Sequence, residues 1–278
     1  MSLTIGIVGL GLIGGSLARA VKKYTGASVL GMDVNHDTIR EALEEGVIDE
    51  AMTPSMLSRA DILFLCLYPK AAVEFAEKNG AQISKEAVVC DVAGIKGWIC
   101  EKMPPLAEKF GFTYIGTHPM AGKERNGFSA SDADLFQGAS FLMVPGGAEE
   151  KKVETLKRLA GEIGFSGVVV TTPEEHDRMI AFTSQLPHVL ACAYVLSPCC
   201  ENHRGFSAGS YRDVSRVARI NETLWTELFL ENRGPLVEEL DLLLSHLSEL
   251  RNAIEEGRKE ELTQLLRRGR LVKEALGE

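Results

Sequence analysis

Three groups of residues in this chain have types and spacings that can do chemistry. The stretch "GTHPMAGKERNG" (116–127) sets a lone imidazole, His118, among turn-forming and charged residues directly after the strand-like run "FTYI". An imidazole titrates near neutrality, so a histidine at a strand end can take the proton of a substrate hydroxyl as a general base. The alternative is a turn histidine that caps the strand. The stretch "GLGLIGG" places Gly9, Gly11 and Gly14 in the slots of G-x-G-x-x-G, between a strand-like run and the helical pattern "GSLARAVKK". The first glycine permits the tight turn, the second lets a pyrophosphate reach the backbone, and the third lets helix and strand pack closely. The anion then rests on the positive end of the helix. Asp33 closes the second strand-like run 19 residues after Gly14, where a carboxylate accepts ribose hydroxyls and repels a 2′-phosphate. That favours NAD over NADP. Finally, Arg212, Arg216 and Arg219 recur at helical spacing. One helix face of arginines can hold carboxylates through charge-assisted contacts, or it can be a solvated face paired with Asp213 and Glu222.

The elements that must position these groups fall into two parts. Up to Thr172, strand-like runs (3–8, 28–33, 61–67, 87–91, 112–117, 140–145 and 167–172) alternate with amphipathic helical stretches, the pattern of a parallel sheet with helices on both faces. Beyond it the strands stop. "TPEEHDRMIAFTSQLPHVLACAYVLS" reads as a long helix with Thr172 as N-cap and Pro173 at its first position, bent or interrupted at Pro187. Leu236, Leu240, Leu243, Leu247, Leu250 and Ile254 form an apolar stripe on a later helix, which Gly257 ends before a last one. The expected fold is α/β: a Rossmann-type, doubly wound, mostly parallel sheet over residues 1–172, followed by an all-helical domain over 173–278.

In an open parallel sheet, ligands bind outside the carboxyl ends of the strands. Pro69, Asp91, Lys96 and His118 should therefore line one cleft with the dinucleotide. The expected cofactor contacts are Gly9, Leu10, Gly11, Leu12, Ile13 and Gly14, with Asp33, Leu67 and Asp91. Lys96 adds positive field to the cleft, or is a surface lysine. His36, His176, His203 and His246 lie in polar contexts and read as solvated surface residues, whereas His188 is either a pocket residue or a buried structural one. Lys22 and Lys23 read as helix surface.

Composition narrows the classes of partner. The chain has 278 residues, 30 basic against 39 acidic side chains, and a net charge of −9, with an acidic excess in both halves. Neither half offers the concentrated positive surface that nucleic acid requires. No apolar run is long enough to span a membrane, and the start lacks the basic leader of a secretory signal. Six cysteines without a C-x-x-C pair point to reduced thiols in a cytoplasmic protein, with neither a disulfide framework nor a metal site.

In order along the chain, "GIVGLGLIGGSLARAVKK", "DVAGIKG", "GTHPMAGKERNG", "SQLPH" and "SYRDVSRVARINETLWTELFLEN" resemble the prephenate dehydrogenases of tyrosine biosynthesis, a group that includes arogenate and cyclohexadienyl dehydrogenases. The resemblance implies NAD-dependent oxidation of the prephenate ring hydroxyl with loss of the ring carboxylate as CO2, giving 4-hydroxyphenylpyruvate. It implies that His118 is the catalytic histidine and that Arg216 binds a substrate carboxylate. It further implies that His188, Gly209, Trp225 and Glu124 lie around the substrate, and that the helical domain forms a homodimer. Two positions depart from the family's pattern. Gly94 stands where a serine is common, and Gln185 where a histidine is common, in or near the substrate pocket. They bear on the choice between prephenate and arogenate. Two other readings are a β-hydroxyacid-type dehydrogenase, which would need a catalytic lysine on the helical part where this chain has none from 158 to 258, and a catalytically silent dinucleotide sensor.

Overall fold

The run Thr4–Val8 is apolar on both faces, the composition of a strand sealed by helices above and below. In the computed structural model, which describes residues 3–123 and 125–277, it is an inner strand of an eight-stranded sheet. The strands are β1 (Thr4–Val8), β2 (Ser28–Met32), β3 (Glu50–Ala51), β4 (Ile62–Leu65), β5 (Val88–Asp91), β6 (Thr113–Pro119), β7 (Ser140–Val144) and β8 (Gly167–Val170). The helices are α1 (Leu12–Tyr24), α2 (His36–Glu44), α3 (Pro69–Asn79), α4 (Gly97–Phe110), α5 (Glu150–Glu162), α6 (Pro173–Ile180), α7 (Leu186–Val195), α8 (Gly209–Ser215), α9 (Glu222–Glu231), α10 (Arg233–Glu255) and α11 (Lys259–Ala275).

The strand order is β3-β2-β1-β4-β5-β6-β7-β8, so the direction of winding reverses between β1 and β4. That switch point opens a crevice at the carboxyl ends of the strands, directly beside the glycine loop. Alternation along each strand sorts the core into two layers. Ile5, Ile7, Ile62, Phe64, Val88 and Cys90 pack with α1 and α5 on one face. Val8, Leu63, Leu65 and Val89 pack with α3 and α4 on the other.

All seven strand-like runs form strands; the two-residue β3 is too short to carry a pattern of its own. The larger departure is at β6. It pairs in parallel with β5 only as far as Cys90↔Ile115, then continues to Pro119 because β7 runs antiparallel beside it, with His118 opposite Leu142. His118 therefore lies within a strand, not in the loop after one. β7 can reverse because residues 120–139 return it to the sheet without a crossover helix.

Past β8 the chain is helical. The Thr172 side chain accepts from Glu175 N–H and caps α6, with Pro173 at its first position. Pro187 interrupts the helix as expected, in a specific way. It lacks an N–H, and its ring would press on the carbonyl four residues back, so residues Ala181–Gln185 widen into one π turn before α7 restarts. The apolar stripe lies on α10, and Gly257 ends that helix region at φ +65°. No described helix is long and apolar enough to cross a membrane.

Candidate active site

The glycine loop, the ends of β4–β6, and the helical part from Ile180 to Leu228 enclose one cleft of about 850 Å³. The loop is shaped for an anion. Gly9 has φ +90°, a conformation that favours glycine, and a Cβ there would lie 2.5 Å from the Cys66 carbonyl oxygen. A Cβ on Gly14 would come within 1.9 Å of the Gly9 carbonyl oxygen, so only glycine lets α1 start this close to β1. Gly11 faces open space and is the N-cap of α1, with no side chain capping the helix and no acidic residue in its first turn. The orphan N–H groups of that turn point at the cleft as an anion site. Asp33 stands at the end of β2, where its carboxylate accepts from Leu10 N–H (2.7 Å) and Asn35 N–H (2.8 Å). Leu10 is sealed in the core and acts only through that bond. Leu12, Ile13 and Leu67 line the cleft. These residues fit a bound dinucleotide: positive helix end, close backbone approach and a carboxylate at the ribose position.

His118 lines the same cleft from β6. Behind it, Nδ1 lies 3.0 Å from Nε2 of His176, and Nδ1 of His176 lies 2.7 Å from Oδ1 of Asp177. Asp177 in turn accepts the backbone N–H groups of Lys96 and Gly97, each at 2.7 Å, where α4 begins. Burial, reinforced by the His176 ring and the Lys96 charge, holds the His118 pKa well below the ordinary 6.5. His176 is lowered too: burial and Lys96 outweigh the opposing pull of Asp177 and Asp91.

Beneath this chain, Lys96 and Asp91 form a sealed ion pair at 2.6 Å, both fully buried. Lys96 Nζ also donates to the carbonyls of Ala93 (2.8 Å) and Ile95 (3.0 Å), so its three donors are used internally. Asp91 additionally accepts from Ala93 N–H, Tyr114 O–H and Thr117 N–H. The expectation that Lys96 meets substrate and Asp91 meets cofactor is therefore corrected. Both are internal props that hold the ends of β5 and β6 in place. Burial excludes them from the cleft, and their polar atoms have protein partners. Cys66 does line the cleft, but burial, then Asp91, push its thiol far up and leave it inert.

The facing wall is helical. Arg216 and Arg219 line it, both exposed, whereas Arg212 does not. The single arginine face expected from their spacing does not form, because α8 ends at Ser215 and Arg216–Ala218 tighten into a 3-10 turn. His188 stacks on Trp225 with ring centroids 3.7 Å apart, and its Nδ1 donates to the Ser184 carbonyl (2.8 Å). Both rings line the cleft. Gln185 also borders it, but its amide is committed. Nε2 donates to the Leu228 carbonyl (3.1 Å) and Oε1 accepts from Asn232 (2.7 Å), so its polar end joins helices instead of meeting a ligand. Gly209 opens α8 and does not line the cleft, and Glu124 lies outside the described residues. A Cβ on Gly94 would point 3.9 Å from Cε1 of His118 and 3.5 Å from Leu228, so a small side chain would fit there.

His176 is the main residue that pattern reading placed wrongly. It is 2% exposed, not solvated, and joins His118. A signal was available: His176 and Asp177 stand four and three residues before Ile180, and all three are buried on the inner side of α6. The polar letters of "PEEHD" masked it. Asn232 was missed as well. Its amide donates to the Asp177 carbonyl (2.9 Å) and to Gln185, tying α6 to the start of α10.

Comparison with known proteins places this arrangement. A family model described as the nucleotide-binding domain of prephenate dehydrogenase matches residues 17–171, and one described as its dimerization domain matches 172–268. A prephenate dehydrogenase of Bacillus subtilis is 29% identical over 275 residues, covering 94% of this chain and 73% of the relative. A cyclohexadienyl dehydrogenase of Zymomonas mobilis is 30% identical over 260 residues, covering 90% and 88%. Among solved structures, a prephenate dehydrogenase from Aquifex aeolicus in complex with hydroxyphenyl propionate and NAD+ superposes with a TM-score of 0.85 at 26% identity, over 99% of both chains. An arogenate dehydrogenase from Synechocystis gives 0.82 at 28%, over 99% of this chain and 100% of the other.

Proposed function

The chain belongs to the prephenate dehydrogenase family, and from that premise we propose how its cleft carries out the reaction. The protein catalyses the NAD-dependent oxidative decarboxylation of prephenate to 4-hydroxyphenylpyruvate. The observation that carries our reading of the residues is that one cleft joins the glycine loop, His118 and Arg216. The proposed division of labour follows the notional boundary at Thr172: residues 1–172 hold the dinucleotide, and 173–278 hold the substrate and a second copy of the chain.

NAD supplies the acceptor for the hydride that leaves ring carbon C4. The first turn of α1 would carry its pyrophosphate and Asp33 its ribose, with the backbone of the Gly9–Gly14 loop, Leu12, Ile13 and Leu67 lining the space around it. His118 accepts the C4 hydroxyl proton as the C–H bond breaks, so that positive charge does not build on the carbonyl oxygen. Its depressed pKa keeps the ring neutral and able to act as a base at neutral pH. Arg216 holds a substrate carboxylate through charge-assisted hydrogen bonds, with Arg219 near, while His188 and Trp225 form a flat apolar and polar wall beside the ring. Once C4 is a ketone, the ring carboxylate departs as CO2. Its electron pair enters the ring, and the resulting phenolate recovers the proton that His118 holds. The base is thus reset within one turnover.

A homodimer through the helical part belongs to the same proposal. Its support is the apolar surface left on α10 and α11: Leu244, Leu247, Ile254, Leu266, Leu271 and Val272 are all exposed in the single chain. Six free thiols suit a reducing, cytoplasmic location.

The test is NADH formation from NAD by the purified protein, with prephenate and arogenate supplied in parallel. The two substrates share the reacting ring, so the chemistry above holds for either. Turnover of prephenate with little from arogenate is the expected result. A preference for arogenate would move the substrate, and no turnover of either would overturn the reading.

A further inference from the structure

We propose that His176, backed by Asp177, is a positioning residue that fixes the His118 ring with its proton on Nδ1 and its lone pair on Nε2, the nitrogen left to the cleft. The inference rests on the base role proposed for His118 and adds how that role is set.

A carboxylate only accepts, so at 2.7 Å from Asp177 Oδ1 the Nδ1 of His176 carries a hydrogen. The carboxylate cannot turn away, because the Lys96 and Gly97 N–H groups at the start of α4 hold one oxygen each. A neutral His176 protonated on Nδ1 has a bare Nε2. That nitrogen is 3.0 Å from His118 Nδ1, and two bare nitrogens cannot make a hydrogen bond, so His118 Nδ1 is the donor. The second nitrogen of His118 is then the acceptor. Every charged group facing His176 is accounted for: Asp177 on its own helix, His118 on β6, and the Lys96–Asp91 pair between β5 and α4. Burial lowers both imidazoles, which keeps the pair neutral near pH 7.

The arrangement contributes twice. Before reaction it removes the tautomer in which His118 Nε2–H would face the substrate hydroxyl and could not accept its proton. During reaction, the new imidazolium donates through Nδ1 to His176, whose ring is polarised by Asp177, so the charge that develops is met by dipoles already in place. Three consecutive bonds also hold the ring plane. Single bonds to histidine nitrogens set tautomer and orientation in the same way at many sites.

The deciding experiment has two readouts. The first needs no substrate: imidazole 15N shifts of the histidine-labelled protein from pH 6 to 9, with His118 and His176 assigned through His118→Asn and His176→Asn. The expected result is a protonated Nδ1 and a bare Nε2 on both rings. A proton on His118 Nε2 would overturn the proposal. The second is kinetic. His176→Asn keeps a group for Asp177 but withdraws the acceptor from His118; kcat should fall on the order of 10²-fold. KM for prephenate and NAD binding should stay within about twofold, and His176→Gln, whose amide oxygen reaches the Nε2 position, should recover part of the loss. A His176→Asn kcat within about threefold of wild type, in a protein that still binds NAD, would equally overturn it. If the wild-type protein turned over neither prephenate nor arogenate, the function reading would fall, while the 15N shifts would still decide the tautomer.

Discussion

The two walls of the cleft are held in opposite ways. The sheet wall is finished within one chain. Its two apolar layers seal large side chains completely, and its buried polar groups, Asp91, Lys96 and Thr117 among them, have protein partners. The helical wall is not finished. Among the described residues its own core cluster seals only Ala181, Leu186 and Leu236, while leucines along α10 and α11 remain exposed. The residues offered to the cleft follow this division. His118 is locked in a strand with a partner behind it, whereas Arg216 stands exposed at a helix end. The difference teaches where rigidity is needed. A base must be placed and protonated correctly before the reaction, while a charged clamp for a carboxylate can close around its ligand.

The comparison can be broken first at the two residues themselves, since they should fail in different ways. His118→Asn should lower kcat on the order of 10³-fold with NADH binding intact. Arg216→Ala should instead raise the prephenate KM about 10- to 100-fold, the worth of a charge-assisted contact, with kcat changed far less. Steady-state kinetics with both substrates varied, plus NADH titration, separate the two. A retained kcat in the first variant, or an unchanged KM in the second, would remove that residue from its role.

A second experiment tests whether the sheet wall is stiff because of its buried pair. Lys96→Met leaves the Asp91 carboxylate in the core without its cation and should cost about 3 kcal/mol of stability, read from urea unfolding. A variant that kept full stability and lost only substrate affinity would return Lys96 to the cleft.

The smallest expected effect concerns pH. The folded protein holds His118 and His176 below 6.5, so under that pH the unfolded chain binds more protons than the folded one. Stability should therefore fall as pH drops below about 6.5, by up to about 1.4 kcal/mol per pH unit for each imidazole, and should not gain from these groups above it. Urea midpoints at pH 7.5 and 5.5, compared with the His118→Asn/His176→Asn double variant, isolate the contribution. An identical pH dependence in both proteins would show that the two rings are not held neutral.

What could be read from the chain alone is what local rules control. Glycine spacing, strand-forming runs and the Thr172–Pro173 start of α6 all act within a few residues, and so each could be placed by number: the dinucleotide loop, the seven main strands and the change to helices. His118 could also be singled out, because its setting of turn residues is local. Tertiary structure decided which polar residues reach the cleft. Lys96 and Asp91 look like cleft residues in sequence, yet they close on each other in the core, because an isolated charge there would be costly and a bonded pair is not. His176 looks solvated beside two glutamates, yet the turn of α6 carries it inward to His118, 58 residues earlier in the chain. Period and propensity describe how a segment folds. Which buried hydrogen-bonding groups meet depends on how distant segments pack, and that distance is not written in either segment.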